Sequence, residues 1–374
     1  MNKTHFYYID YMRIFAMICV VFMHAASNAL RMYLLSDNWM ALSAVTSLAF
    51  CAVPLFFMIS GQLLLGSEKT GQIGYVLKRR IPKLVVPLVV YSAIAAIWLS
   101  YLRTATVTAG EWFQILKSGL TEPVMIHFWF MYTLIGMTLI SPLLYGGVKI
   151  LSTKKGCITL SIFIVAVVGL KTLYLFSPET AGSWIPYKVV SELWFFNGHI
   201  YALLIGWLLS RIPKNIPNWI LVLTAVADLA LIIWGTRWAT EKFGAYTATF
   251  QSQNHGLEIL LALCIFLLCK QNLNRSFGRL NSFLKPLANL AFPIYLLHNI
   301  MISILYFYDL PHERALDVGV ATILVILICF LIIKTLATIK PLCYPFTGMS
   351  YKEACRSCNW VYTIANIKRK FSEA

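Results

Sequence analysis

Asp10-Tyr-Met-Arg13-Ile-Phe-Ala-Met-Ile-Cys-Val-Val-Phe-Met-His24 is an apolar run that reads as the start of a membrane crossing, yet it carries an arginine and a histidine. Ionisable groups at bilayer depth cost about 3 kcal/mol each on insertion scales, so they default to functional roles. Eleven helical steps at roughly 100° return to nearly the same face, with a rise of about 16 Å. One face of one helix therefore offers a cation near its cytoplasmic side and an imidazole about halfway across.

The rest of the chain repeats this apolar character. Of 374 residues, 59% are hydrophobic and only 12% charged. A soluble domain carries roughly twice that charged fraction. Apolar runs at about 12–30, 42–65, 84–102, 127–148, 157–176, 192–210, 217–236, 255–270, 286–308 and 317–338 predict an all-α polytopic transmembrane bundle of about ten helices. No alternation of the outer-membrane-barrel type is present. The first run is read as a retained helix rather than a cleaved signal peptide, because Arg13 and His24 interrupt its apolar core.

A net charge of +16 invites a nucleic-acid partner, and the placement of the charge argues against one. With the N-terminus inside, the inner loops hold Lys69, Lys78, Arg79, Arg80, Lys83, Lys149, Lys154, Lys155, Arg211, Lys214, Lys270, Arg275, Arg279 and Lys285. With Lys3 and six tail cations these make 21 of the 31 basic residues. Such asymmetry is the topology signal of an inner or plasma membrane protein with both termini in the cytoplasm. Residues 1–338 form one membrane domain and 339–374 a basic cytoplasmic tail, ending in Lys368-Arg369-Lys370 and suited to solvent or lipid headgroups. No cysteine falls in an outer loop, so disulfides are not expected. Cys355-x-x-Cys358 has no second pair at zinc spacing, and no metal is expected.

Several constellations carry chemistry. The pair Arg13-x10-His24 reads separately as a snorkelling cation and a helix–helix hydrogen-bonding group, and together as a site. An imidazole titrates near neutrality and can serve as general base towards a hydroxyl. Lys78-Arg79-Arg80-Ile-Pro-Lys83 is either positive-inside anchoring or a phosphate clamp, since arginine forks match phosphoryl oxygens. In Val53-Pro54-Leu-Phe56-Phe57-Met-Ile-Ser60-Gly61, the Ser60-Gly61 pair permits close helix approach. His127-Phe-Trp129-Phe130-Met-Tyr132 suits an aromatic belt, a sugar platform or an outer gate. Tyr295 and His298 share a face in the ninth span. Asp228, Glu192, His199, Glu258 and His255 add polar groups in or at the ends of spans, and all but Asp228, which has no assignable partner, converge on the outer half. Prolines 54, 82, 87, 123, 142, 286 and 293 free backbone carbonyls that neighbours must satisfy.

Taken in this order, the motifs resemble those of the acyltransferase 3 family, membrane proteins that O-acylate surface glycans. Arg13-x10-His24 resembles its first-helix motif and the Val53–Gly61 block its second-helix signature. Arg80-x-x-Lys83 resembles its Arg-x-x-Arg motif, with Lys in the last place. His127–Tyr132 and Tyr295–His298 resemble later blocks. The resemblance spans roughly residues 7 to 335 and is closest to the enterobacterial common antigen O-acetyltransferase branch. It implies a multi-pass protein of the bacterial inner membrane, with acetyl-CoA or another acyl-CoA as cytoplasmic donor. The acceptor it implies is a hydroxyl of a glycan or lipid-linked sugar outside. His24 would be catalytic with Arg13 as its motif partner, and Arg79, Arg80 and Lys83 would contact the CoA phosphates. Ser60, His127, Trp129, Tyr132, Tyr295 and His298 would line the substrate pocket, with Tyr295 a possible oxyanion donor. The competing reading is a glycan or lipid-linked-sugar transporter with His24 and His298 as proton relays. It has no use for a phosphate clamp.

Overall fold

The computed structural model describes residues 5–176, 199–212, 216–253 and 255–372. Among these, all regular structure is helical. In chain order the longer helices are α1 Tyr7–Ala26, α2 Asp37–Ala49, α3 Ala52–Leu65, α4 Ile73–Thr104, α5 Ala109–Ser118, α6 Trp129–Ile150 and α7 Lys154–Phe176. They continue with α8 His199–Arg211, α9 Asn218–Phe243, α10 Gly256–Asn272, α11 Arg279–Phe307, α12 Ala315–Leu336, α13 Lys340–Thr347 and α14 Trp360–Ser372. Eight stretches among the described residues are long and apolar enough to cross a membrane, so the chain is a multi-pass helical membrane protein. They account for eight of the ten expected spans. The other two correspond to α10, of 17 residues, and α8, whose expected span begins outside the described residues along with Lys188 and Glu192. Lys3 and Lys214 also lie outside them.

Prolines set two departures from the run lengths read in sequence. The expected span 42–65 is two helices, because the Pro54 ring clashes with the carbonyl four residues back, at Phe50, where α2 ends. Pro54 is tolerated at the third position of α3, where its missing N–H would be an orphan anyway. The basic segment expected as a loop is instead the first turns of α4. It widens into a π turn over Val76–Arg80, just before Pro82. A π turn gives a proline ring the room that the ordinary helical spacing denies it.

The chain divides into two compact units, each assembled from separate segments. The first comprises Met1–Gln72, Ser141–Arg275 and His312–Val318. Its tightest crossing is α3 on α8: a Cβ at Gly61 would overlap the Leu203 backbone, and a Cβ at Gly206 the Met58 backbone. The close approach permitted by Ser60-Gly61 is thus realised at the glycine. The Tyr8 hydroxyl donates to Gln62 Oε1 at 2.7 Å in a buried bond joining α1 to α3. Each such bond contributes about 1 kcal/mol net. Trp39, fully buried, donates through Nε1 to the Leu30 carbonyl at 3.0 Å.

The second unit comprises Ile73–Ile140, Ser276–Pro311 and Gly319–Ala374. Here α4 packs on α11 through Trp98 Nε1, which donates to Ser303 Oγ at 2.9 Å beside the rings of Tyr101 and Phe307. The C-terminal segment folds as helices on α4. Tyr91 donates to the Phe346 carbonyl at 3.2 Å. Gly348, at φ +68°, lies directly against the Lys83 carbonyl, which Pro87 leaves without its intrahelical donor. Cys343 and Cys358 are buried in this packing, and burial pushes the Cys358 thiol up to about 11.

Gly61→Ala should lower the thermal midpoint in detergent, by a cost of about 1–3 kcal/mol typical of overpacking. Gly74→Ala, with nothing within 4 Å of the added methyl, should leave it unchanged or slightly raised. Equal midpoints for the two variants would show that the crossing tolerates a methyl.

Candidate functional site

In the first unit, Arg13 and His24 lie on one unbroken helix, α1. Between them on the same stripe sit Met17 and Val20, exposed by only 0% and 2%, whereas Ile18 on another face is 42% exposed. The stripe shared by the two ionisable residues is therefore turned into the protein. Arg13 pairs with Asp10 one turn earlier, Nη1 to Oδ1 at 3.8 Å, and Asp10 also meets His5 Nε2 at 2.8 Å. The arginine is thus held over its own helix at the end where α1 begins. His24 is half-buried near the other end, where its carbonyl accepts from Ser27 Oγ at 2.9 Å. Ser60 is half-buried on α3.

The same unit contains a polar seam that the sequence reading only touched. Gln251, fully buried, donates through Nε2 to the Ser47 hydroxyl at 2.8 Å and the Ser43 carbonyl at 3.3 Å. Its Oε1 accepts from the Tyr246 hydroxyl. Glu258, in the first turn of α10 and fully buried, is within electrostatic reach of Tyr246 and of Asp228 on α9. Asp228, which had no assignable partner in sequence, takes a hydrogen bond from the Leu261 backbone. Among the described residues, neither Glu258 oxygen has a hydrogen-bond partner, nor do Ser43 Oγ, Thr46 Oγ1, Thr236 Oγ1 and Asp228 Oδ2. The signal was present as Ser43-x-x-Thr46-Ser47 and Thr236-x-x-x-Thr240, small hydroxyls at helical spacing in apolar helices. Of the other polar groups, His199 stacks on Phe57 with ring centroids 4.6 Å apart. The Lys171 ammonium lies 5.8 Å over the Tyr201 ring, and Thr172 Oγ1 accepts the Gly256 N–H at 2.8 Å.

In the second unit three of the sequence-derived residues come together. His127, on a 3₁₀ turn ahead of α6, is 1% exposed and lies 4.8 Å, ring to ring, from the fully buried His298. Its Nε2 contacts the Leu296 carbonyl and its Nδ1 the Asn299 amide nitrogen, each at 3.3 Å. These partners assign a neutral ring with the proton on Nε2, because a carbonyl only accepts and an amide nitrogen only donates. The Tyr295 hydroxyl donates to the His127 carbonyl. That bond gives the phenol a structural partner in place of a developing oxyanion. Asn299 and Phe130, whose ring is 5.3 Å from Tyr295, complete the cluster. Tyr132 is not part of it: its hydroxyl reaches the Gly119 carbonyl at 2.6 Å and braces the segment after α5. Trp129 is half-buried and packs edge-on to Phe130.

The basic residues sit at the start of α4. Arg79 is exposed, and the Arg80 guanidinium lies 5.5 Å from the Tyr75 ring centroid. Lys83 Nζ pairs with Glu353 Oε2 at 3.3 Å, both side chains about half exposed. A pair so exposed contributes at most about 1 kcal/mol. Guanidinium and ammonium groups of this kind could bind phosphoryl oxygens.

Tyr295→Phe removes the donor to the His127 carbonyl while keeping the ring. The carbonyl keeps the Trp129 N–H as a partner, so the expected result is a thermal midpoint lower by about 1 kcal/mol, the net worth of one hydrogen bond. An unchanged midpoint would show that the tyrosine bond adds no stability.

Comparison with known families matches residues 6–334 to the acyltransferase 3 model, described as an acyltransferase domain. The chain belongs to that family, and is a membrane acyltransferase. No curated protein and no solved structure matches it.

Proposed function

We propose that this acyltransferase moves an acetyl group, or another short acyl group, from cytoplasmic acyl-CoA to a hydroxyl of a surface or lipid-linked glycan. The acceptor class follows the likeness of its motifs to the enterobacterial common antigen O-acetyltransferase branch. The observation that carries the reading is the family match over residues 6–334, joined to Arg13 and His24 on one protein-facing stripe of α1.

In this reading His24 takes the proton from the acceptor hydroxyl as that oxygen attacks the thioester carbonyl. The carbon–sulfur bond breaks, the ester forms, and the proton passes to the departing thiolate, so the reaction is balanced without an added acid. Arg13, steadied by Asp10 at 3.8 Å, supplies positive charge on the same stripe. Arg79, Arg80 and Lys83 are assigned to the CoA phosphates. The lysine at the last position acts there as a point charge rather than a bidentate fork. His127, Tyr295 and His298 shape the acceptor pocket, together with Trp129. With both His127 nitrogens occupied, that ring holds position and does not act as the base.

Two measurements test this. His24→Ala should cut acylation of surface glycan, read by mass spectrometry, by about 10²–10⁴-fold with glycan amount unchanged. Unacylated glycan accumulating inside the cell would instead favour transport. Arg80→Ala should raise the KM for acyl-CoA by roughly tenfold, the scale of one lost charged hydrogen bond. A donor KM equal to that of the unaltered protein would refute the clamp.

A further inference from the structure

A groove of about 620 Å³ opens on the first unit where the start of α7 meets the end of α8. Its walls are apolar, with Ile158 and Ile162 from α7 and Leu208 and Ile212 from the α8 side. Lys154 and Arg211 stand at its rim, and among the described residues no carboxylate lines it. The positive-inside asymmetry assigns this end of both helices to the cytoplasm, so the cations sit at headgroup level while the isoleucines continue towards the hydrocarbon. Ile162 is 65% exposed and Ile158 48% exposed, so the apolar wall is open to whatever fills the surrounding bilayer. The Arg211 guanidinium lies 4.6 Å from the Trp207 ring centroid, a cation–π contact that leaves its N–H groups to donate to oxygen acceptors.

We propose that this groove is a binding site for an anionic phospholipid. The phosphate would be held between Lys154 and Arg211 and one acyl chain laid along Ile158, Ile162, Leu208 and Ile212. The volume is within the range of sites that enclose a ligand, about 300–1,000 Å³. The occupant follows from two complementarities that coincide. The rim carries two positive charges without a neutralising acid, and the floor carries branched aliphatic side chains at acyl-chain depth. Basic clefts between helices at the cytoplasmic face suit anionic headgroups. A soluble phosphate ester lacks the chain that would cover the isoleucines. A zwitterionic lipid brings an ammonium to a rim that is already cationic. The site is separate from the residues assigned to acyl transfer and does not depend on that assignment.

The test uses the full-length protein in nanodiscs of mixed phosphatidylglycerol and phosphatidylcholine, with retained lipids counted by native mass spectrometry. The unaltered protein should retain phosphatidylglycerol over phosphatidylcholine by roughly thirtyfold, the scale that two headgroup-facing cations supply. The double variant Lys154→Glu/Arg211→Glu should fall to parity, while Lys352→Glu/Arg356→Glu in the C-terminal segment should keep the preference. Ile162→Trp fills the groove without touching charge and should also lose it. It decides the matter if the charge-reversed protein fails to fold. Equal retention of the two lipids by the unaltered protein would overturn the proposal. So would an undiminished preference in the Lys154/Arg211 double variant or in Ile162→Trp, or full competition by chainless glycerol phosphate.

Discussion

Hydrocarbon offers no hydrogen bonds, so every peptide group and polar side chain within it must find a partner inside the protein. That constraint explains why the described chain is helical throughout its regular structure, and why its departures from plain helix cluster at prolines. Pro54 divides one apolar run into α2 and α3. Pro82 follows a π turn, and Pro87 frees the Lys83 carbonyl against which Gly348 packs. In each case a proline's missing N–H or its ring reorganises a turn. The same constraint turns the Arg13–His24 stripe inward, because a lipid-facing cation and imidazole would each cost several kcal/mol.

The polar groups of the two units are treated differently, and the difference bears on chemistry. His127 has a carbonyl on one nitrogen and an amide on the other, so its tautomer and orientation are fixed. Tyr295 is likewise tied to a backbone oxygen. Such bonds hold both side chains in position. The seam around Gln251 and Glu258 is the opposite case. There, buried hydroxyl and carboxyl oxygens outnumber the donors that reach them. Uncompensated polar atoms are costly, and natural cores contain few. Their concentration between α2, α9 and α10 marks this part of the first unit as polar by construction.

The C-terminal segment shows how charge can mislead when read alone. As sequence, residues 339–374 are a basic tail suited to solvent or lipid headgroups. As structure, their first part is packed: Asn359 is fully buried and donates to the Ala337 carbonyl, and the Lys334 ammonium lies 4.0 Å over the Trp360 ring. Glu353 meets Lys83 at the head of α4. The buried positions here, Cys343, Thr347, Gly348, Ala354, Cys358 and Asn359, are small or polar and too widely spaced to register as an apolar run.

By itself the sequence determined the class of solvent and the order of the eight membrane-length helices found among the described residues, and its motifs pointed to the acyltransferase family that the chain belongs to. Run length, charge asymmetry and residue spacing are local quantities, and hydrocarbon thickness converts them directly into helices. It also determined that Arg13 and His24 share a face, since eleven residues nearly close three turns. Only the tertiary structure decided which way that face points, because Met17 and Val20 are apolar whether they meet protein or lipid. It alone brought Glu258 within electrostatic reach of Asp228, joined His127 to Tyr295 and His298 across more than 160 residues, and pressed Gly61 against Leu203. Those contacts depend on how distant helices cross, and in a uniformly apolar sequence the crossing is set by shape and by a few buried polar bonds rather than by composition.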